Sequence, residues 1–149
     1  MNAMMKKVMR GANALGVSIY RHSNGRIGGK AKGTPVLLLT VPGRKTGTPH
    51  TVGVSYFEHD GGYLVTGSAG GTKHDPQWIR NLRVAPTARI QIGAEQTDVG
   101  VRVTEGAERD QLWREVVIAR APFFAGYEKK SGRVIPIAVL TPAGQQQST

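Results

Sequence analysis

The sequence contains no cysteine. That excludes disulfides, thiolate metal sites and thiol nucleophiles, and it leaves any redox chemistry to a bound cofactor. No apolar run approaches the roughly 20 residues that a membrane-spanning helix needs. The N-terminus lacks the short apolar block and small-residue cleavage site of a secretory signal, so a cytoplasmic location is expected. Aromatic residues make up only 6%. None alternates with basic residues as a base-stacking platform requires, which makes a nucleic-acid-binding domain a secondary reading. His50, His59 and His74 are too far apart for a zinc site, and H-E-x-x-H is absent, so no metal is expected. Ser55, Thr66 and Ser68 lack a nucleophile signature such as G-x-S-x-G, and no carboxylates are paired for hydrolysis.

Acidic residues are also missing from the first third of the chain, where the first is Glu58. Before it stand Lys6, Lys7, Arg10, Arg21, Arg26, Lys30, Lys32, Arg44 and Lys45. Over the whole chain, 20 Lys+Arg against 10 Asp+Glu give a formal charge of +10. A field of one sign raises the local concentration of anions: nucleic acid, lipid head groups or a phosphorylated small molecule. A chain of 149 residues with 39% hydrophobic content suits one domain with one modest core.

Residues 3–21 carry apolar side chains at Met4, Met5, Val8, Met9, Ala12, Leu15 and Ile19, the spacing of one helical stripe. This basic amphipathic helix, the core of residues 1–21, suits either an anionic membrane surface or, more commonly, packing of the stripe onto the domain. Residues 22–33 are rich in Gly and Lys and read as a flexible connection, closing an N-terminal region of 1–33. The barrel domain is expected over 34–142. Within it, TPVLLLTV reads as a buried strand, TVGVSYF as a second, and GYLVTGS as a third, returning after the EHDGG turn. DPQWIRNL predicts a short helix with Asp75 as cap and Pro76 at its first position. ARIQIG and TDVGVRVT alternate as a second hairpin. Residues 106–120 form a helix ended by Pro122. RVIPIAVL is a last strand, whose Pro136 argues for an edge position or a bulge. The tail, 143–149, is expected to be disordered. Six short antiparallel strands with two or three helices predict a mainly β (α+β) fold, a small β-barrel with flanking helices. An apolar edge on such a barrel would allow a homodimer.

The stretch VPGRKTGTPH is not a phosphate-binding P-loop. Arg44 stands where Lys should follow Gly43, Leu38 occupies the place of the first glycine, and no helix follows. What remains is a glycine-flanked turn whose amides can form a nest and whose Arg44 and Lys45 can meet an anion; a solvated hairpin turn is the alternative. A second cluster, GSAGG over Gly67–Gly71, follows a strand and leads into a helix. Small residues there let a flat ring lie against bare backbone. Trp78 either caps that site or fills the core, and the core is the better reading.

Taken together, LLLTVPGRKTGTPH, GSAGGTKHDPQWIRNL, and GY followed by RVIPIAVL resemble the deazaflavin-dependent nitroreductase family. These are reductases that use coenzyme F-420 (8-hydroxy-5-deazaflavin) on an FMN-binding-like split β-barrel. The resemblance runs from about Val8 to Pro142. It implies a hydride transfer from the reduced deazaflavin to an electron-poor small-molecule acceptor such as a quinone, an unsaturated lactone or a nitroaromatic. It also implies that Arg44, Lys45, Thr46 and Gly47, with His50 close by, hold the cofactor's phosphate and the start of its acidic tail. Ser68, Ala69, Gly70 and Gly71 would approach the ring, with Gln77, Trp78 and Asn81 beside it. Tyr127 and Phe124 would line the acceptor pocket, and Tyr127 or Ser68 would donate a hydrogen bond to the acceptor oxygen. Ala69, Ala121 and Phe124 depart from residues of the best-known member, which implies a more apolar pocket. FMN, also flat and phosphorylated, is the alternative cofactor.

Overall fold

The continuous apolar run of TPVLLLTV requires a strand covered on both faces, and the computed structural model, which describes residues 3–143, supplies the cover. On strand β2 (Thr34–Pro42), Leu37, Leu39 and Val41 point into one hydrophobic core. Leu38, on the other face, is buried beneath Val17 and Tyr20 of helix α1 (Ala3–Ser23). Each such leucine contributes roughly 1.5–3 kcal/mol by leaving water. Alternation along one strand thus joins two layers.

Two further strands lie along the edges of β2. Strand β3 (Pro49–His59) pairs antiparallel with it from Val36↔Ser55 to Pro42↔Pro49. On its other edge, β5 (Thr87–Ile92) pairs over Leu38↔Gln91, Leu39↔Ile90 and Thr40↔Arg89. The circle continues through β4 (Gly62–Thr66), β7 (Ile137–Pro142) and β6 (Glu95–Val103), closing a six-stranded antiparallel barrel. A two-residue strand β1 (Lys30–Ala31) is added on β2. Both predicted hairpins are present. Asp60 and Gly61 take φ of +50° and +76°, the left-handed pair of a two-residue turn between β3 and β4. Gly93 at φ +60° opens the turn between β5 and β6.

Four expectations change. First, β7 lies between β4 and β6 rather than at an edge. Pro136 is tolerated because it precedes the strand, where its missing N–H is not needed, while its carbonyl accepts the Gly67 N–H at 2.9 Å. Second, Asp75 is not a helix cap. Helix α2 (Gln77–Leu82) begins after Pro76 without a side-chain cap, and Asp75 instead accepts from Arg83 and Arg133. Third, residues 22–33 are a series of hydrogen-bonded turns followed by β1, tied by Gly25 N–H to Tyr20 O and Val36 N–H to Gly29 O.

The fourth concerns which face of α1 packs. Val17 and Tyr20 are buried, and the Asn13 side chain donates to Thr51 O at 2.9 Å. The Tyr20 hydroxyl accepts from Gly93 N–H at 3.0 Å and lies 3.0 Å from Val36 O and 3.3 Å from Gln91 O. The stripe of Met4, Val8, Leu15 and Ile19 is exposed.

Outside the barrel, a second apolar cluster joins Phe57 and Leu64 to Trp113, Val117, Phe124 and Ile135. It is built by α3 (Gly106–Leu112), a π-helical stretch from Trp113 to Ile118 that prolongs it, and α4 (Phe124–Ser131). Buried Arg109 fastens this layer: its Nε donates to Ile135 O at 2.9 Å, Nη2 donates to Glu128, and the guanidinium covers the Trp113 ring. Helix α4 lies just beyond Pro122, where the sequence reading expects a helix to stop. The expected polar tail beyond Ala143 lies outside the described residues.

Candidate functional site

Strand β3 runs along two adjoining depressions. Pro49 to Val52 line a cleft of about 1190 Å³, which α1, the Gly43–Thr46 turn and α2 complete. Gly53 to Ser55 line a smaller pocket of about 260 Å³, completed by Ser68, Ala69, Phe123, Phe124, Tyr127 and Lys32. Trp78 lines both. The cationic bend therefore lines the cleft and the small-residue bend the neighbouring pocket, with Trp78 between the two. No carboxylate lines either part, whereas Arg21, Arg44, Lys45 and Lys32 do. With no opposing charge nearby, the cleft is suited to an anion.

The cationic turn is held from within. Gly43 N–H donates to Thr48 O and Gly47 N–H to Gly43 O, each at 2.8 Å, and Gly47 supplies the left-handed φ of +76° that the turn needs. Gly43 also allows His50 to come close: a Cβ there would stand 3.2 Å from the imidazole Nε2. Arg44 is tied to α2, with its backbone N–H 3.1 Å and its Nη1 2.8 Å from Asn81 Oδ1. Asn81 is buried, so its carbonyl oxygen serves the arginine. Lys45 is exposed on the turn, and Thr46 Oγ1 accepts the Thr48 N–H.

The second bend depends on a residue that the sequence reading did not single out. Arg133 donates through Nε to Thr72 O at 2.9 Å, through Nη2 to Gly67 O and Ser68 O at 2.9 and 3.2 Å, and through Nη1 to Asp75 at 2.7 Å. One guanidinium thus gathers both ends of the bend. Gly67 is required because a Cβ would come within 2.8 Å of Pro136. Ala69 adopts φ +44°, a left-handed strain for a residue with a side chain. The Ser68 hydroxyl, nearly buried, lies 3.4 Å from Thr66 Oγ1.

Most of the expected site residues converge. Arg44, Lys45, Thr46, His50, Gln77, Trp78 and Asn81 line the cleft, and Ser68, Ala69, Phe124 and Tyr127 line the pocket. Gly47 and Gly71 line neither. Gly71 instead lets the bend pack on α4, where a Cβ would stand 3.3 Å from Tyr127 Cα. Trp78 packs against the barrel core, as expected, and also lines both the cleft and the pocket. Phe124 packs edge-on against Phe57, Trp113 and Tyr127 and lies tilted on Phe123. Phe123 and Lys32 on the pocket wall, and Asn13 and Arg21 on the cleft wall, were not singled out as site residues. They come from three separate segments, α1, the β1–β2 turn and the start of α4, and no local motif carries them.

A family model described as F420H(2)-dependent quinone reductase matches residues 14–142. An F420H(2)-dependent quinone reductase of Mycobacterium tuberculosis (strain H37Rv) is 35% identical over 127 residues, covering 83% of this chain and 85% of that protein. A putative F420H(2)-dependent quinone reductase of the same strain is 36% identical over 114 residues, covering 76% and 95%. Among solved structures, an F420-H2 dependent reductase (FDR-A) superposes with a TM-score of 0.62 at 32% identity, over 71% of this chain and 93% of that one. A structure described as a domain-swapped dimer superposes at 0.65 with 27% identity, over 93% and 99%.

Proposed function

The chain belongs to the F420H(2)-dependent quinone reductase family, and from that premise we propose that it transfers a hydride from reduced coenzyme F-420 to a quinone. The observation that carries the reading is the site itself: a cleft that is cationic and free of carboxylates, a neighbouring pocket that is aromatic, and Trp78 in both. Its charge and its lining suit a molecule with a planar ring and an anionic tail. Arg44 and Lys45 would hold the phosphate, Arg44 by charged hydrogen bonds from a side chain already fixed by Asn81. Thr46, His50 and Gln77 would border the chain that joins phosphate to ring. Ser68, Ala69 and Trp78 would lie beside the ring, where small side chains and a flat indole leave room for it.

When bound, reduced deazaflavin supplies the hydride. The protein aligns the acceptor in the pocket lined by Phe123, Phe124 and Tyr127 and limits water there. Among the donors lining this pocket, the Tyr127 and Ser68 hydroxyls would serve an acceptor oxygen, on which negative charge grows during reduction. Unsaturated lactones and nitroaromatics share that electron-poor character and are proposed as further acceptors.

No helix among the described residues is long and apolar enough to cross a membrane. We propose a cytoplasmic enzyme whose α1 rests on an anionic bilayer, because its exposed Met4, Val8, Leu15 and Ile19 form one face of a basic helix. The likeness to a domain-swapped dimer supports homodimer formation, which light scattering would register.

Fluorescence titration of the purified protein with coenzyme F-420 and with FMN, followed by mixing the reduced complex with a soluble quinone, tests the reading. Deazaflavin binding and quinone-dependent oxidation are expected. Tight FMN binding with no response to coenzyme F-420 would overturn it.

A further inference from the structure

Hairpin β1–β2 turns through only two residues, Lys32 and Gly33, with Ala31 paired to Thr34. Both turn residues have positive φ, +49° and +79°. Such a turn favours Asn-Gly, since a long side chain gains nothing from the left-handed conformation and pays strain for it. Lysine at this position directs attention to what its side chain reaches. Its Nζ lies 2.7 Å from the Tyr127 hydroxyl oxygen, across 95 residues of sequence, and sits 5.0 and 5.4 Å from the ring centroids of Tyr127 and Phe123. The turn therefore delivers a cation to the rim of the acceptor pocket, where two aromatic faces and one hydroxyl hold it.

An ammonium can only donate, so Lys32 must donate to the Tyr127 oxygen. The phenol's own hydrogen is then free to point elsewhere, and the hydroxyl lines the pocket. Building on the reading that this pocket takes the quinone, we propose that Lys32 is a positioning residue that aims the Tyr127 O–H at the acceptor oxygen and holds the charge left behind. Two-electron reduction of a quinone consumes one hydride and one proton. As the hydride arrives and the cofactor is oxidised, the Tyr127 O–H bond breaks and an O–H bond forms on the acceptor. The resulting phenolate remains paired with the Lys32 ammonium until solvent returns a proton. This selects acceptors whose oxygen becomes basic on reduction, quinones above all.

The test uses holoenzyme with reduced coenzyme F-420 and a soluble quinone, in Lys32→Met, Lys32→Arg, Tyr127→Phe and the double variant Lys32→Met plus Tyr127→Phe. Losing a charged hydrogen bond that acts in the transition state should lower kcat by about tenfold or more in Lys32→Met. The dissociation constant of coenzyme F-420 should stay within about twofold, because the cofactor's phosphate is held elsewhere. Lys32→Arg, which keeps charge and reach, should recover most of the rate. In the Tyr127→Phe background, Lys32→Met should cost little more, since the two act as a unit. A larger solvent deuterium isotope effect in Lys32→Met would mark slowed proton delivery. As a readout independent of turnover, cofactor-free protein should bind para-nitrophenolate, followed by its visible absorbance, more weakly in Lys32→Met than in wild type. Wild-type rate and isotope effect in Lys32→Met would overturn the proposal, and so would an undiminished loss in the Tyr127→Phe background. Failure of the wild-type protein to oxidise reduced coenzyme F-420 with any quinone would instead strike the reading of function on which the proposal stands.

Discussion

Arg44 and Asn81 form a closed unit: a single side-chain oxygen of Asn81 accepts both the backbone N–H and the Nη1 of Arg44. The guanidinium is thereby fixed before any anion arrives, which limits the rotamer entropy lost on binding. Arg44→Ala should weaken coenzyme F-420 binding by about 1.5–3 kcal/mol, the usual cost of a charged hydrogen bond. Asn81→Leu should weaken it less, by roughly 1 kcal/mol, because the charge remains and only its position is lost. Calorimetric titration of the two variants checks both the direction and the order.

Tyr20 holds α1 against the barrel, and α1 forms one wall of the cleft. Tyr20→Phe removes the acceptor of the Gly93 N–H and the single donor shared by the carbonyls of Val36 and Gln91. A loss of about 1–3 kcal/mol in urea unfolding is expected. Cofactor affinity should fall with it, since Asn13 and Arg21 are carried on the same helix.

Arg133 ties both ends of the small-residue bend together. Arg133→Met keeps the length of the stem but leaves three carbonyls without this donor and Asp75 with Arg83 alone, which should cost roughly 2 kcal/mol of stability. Hydrogen exchange at Ser68–Thr72 should accelerate beyond what the global change explains.

The outer face of α1 predicts the opposite pattern. Val8→Asp with Leu15→Asp alters exposed positions, so stability should change by no more than about 0.5 kcal/mol per site. Sedimentation with anionic vesicles should fall sharply. Vesicle binding equal to wild type would remove the membrane from the account.

Tyr56 is buried in the barrel, edge-on to Tyr63 at 5.5 Å, and its phenol is pushed above the ordinary tyrosine range by burial and then by Glu58. The unfolded chain thus releases this proton at lower pH than the native state does. Stability should be intact below the ordinary value of about 10 and decline as pH rises from there toward the raised native value. Tyr56→Phe should flatten that alkaline decline in denaturation curves measured across the range.

The barrel was legible because its signals are local. Period-two alternation places β5 and β6, the Asp60–Gly61 pair announces a turn, and the run in β2 marks burial on both faces. The cationic turn was equally plain, since Gly43, Arg44, Lys45 and Gly47 are neighbours in sequence. Misreadings began where the deciding contact is distant. Periodicity favours packing of the richest apolar stripe of α1, yet two residues off that stripe, Val17 and Tyr20, anchor the helix, because Tyr20 finds polar partners on two strands. Pro122 does end the helix over 106–120, but α4, which starts just beyond it, is too short to show a period of its own and was not read. Lys32 and Arg133 reach their partners across 95 and 58 to 66 residues, separations that no window of local pattern can span.

The same Tyr20 anchor bears on how the chain matures. During synthesis α1 leaves the ribosome before the barrel strands, but the acceptor at Gln91 lies 71 residues downstream, and the seam between β2 and β5 cannot zip until that strand has emerged. This helix is therefore among the last pieces to dock. Its greasy side stays open to chaperones throughout elongation, and folding should be slow for a chain of this size.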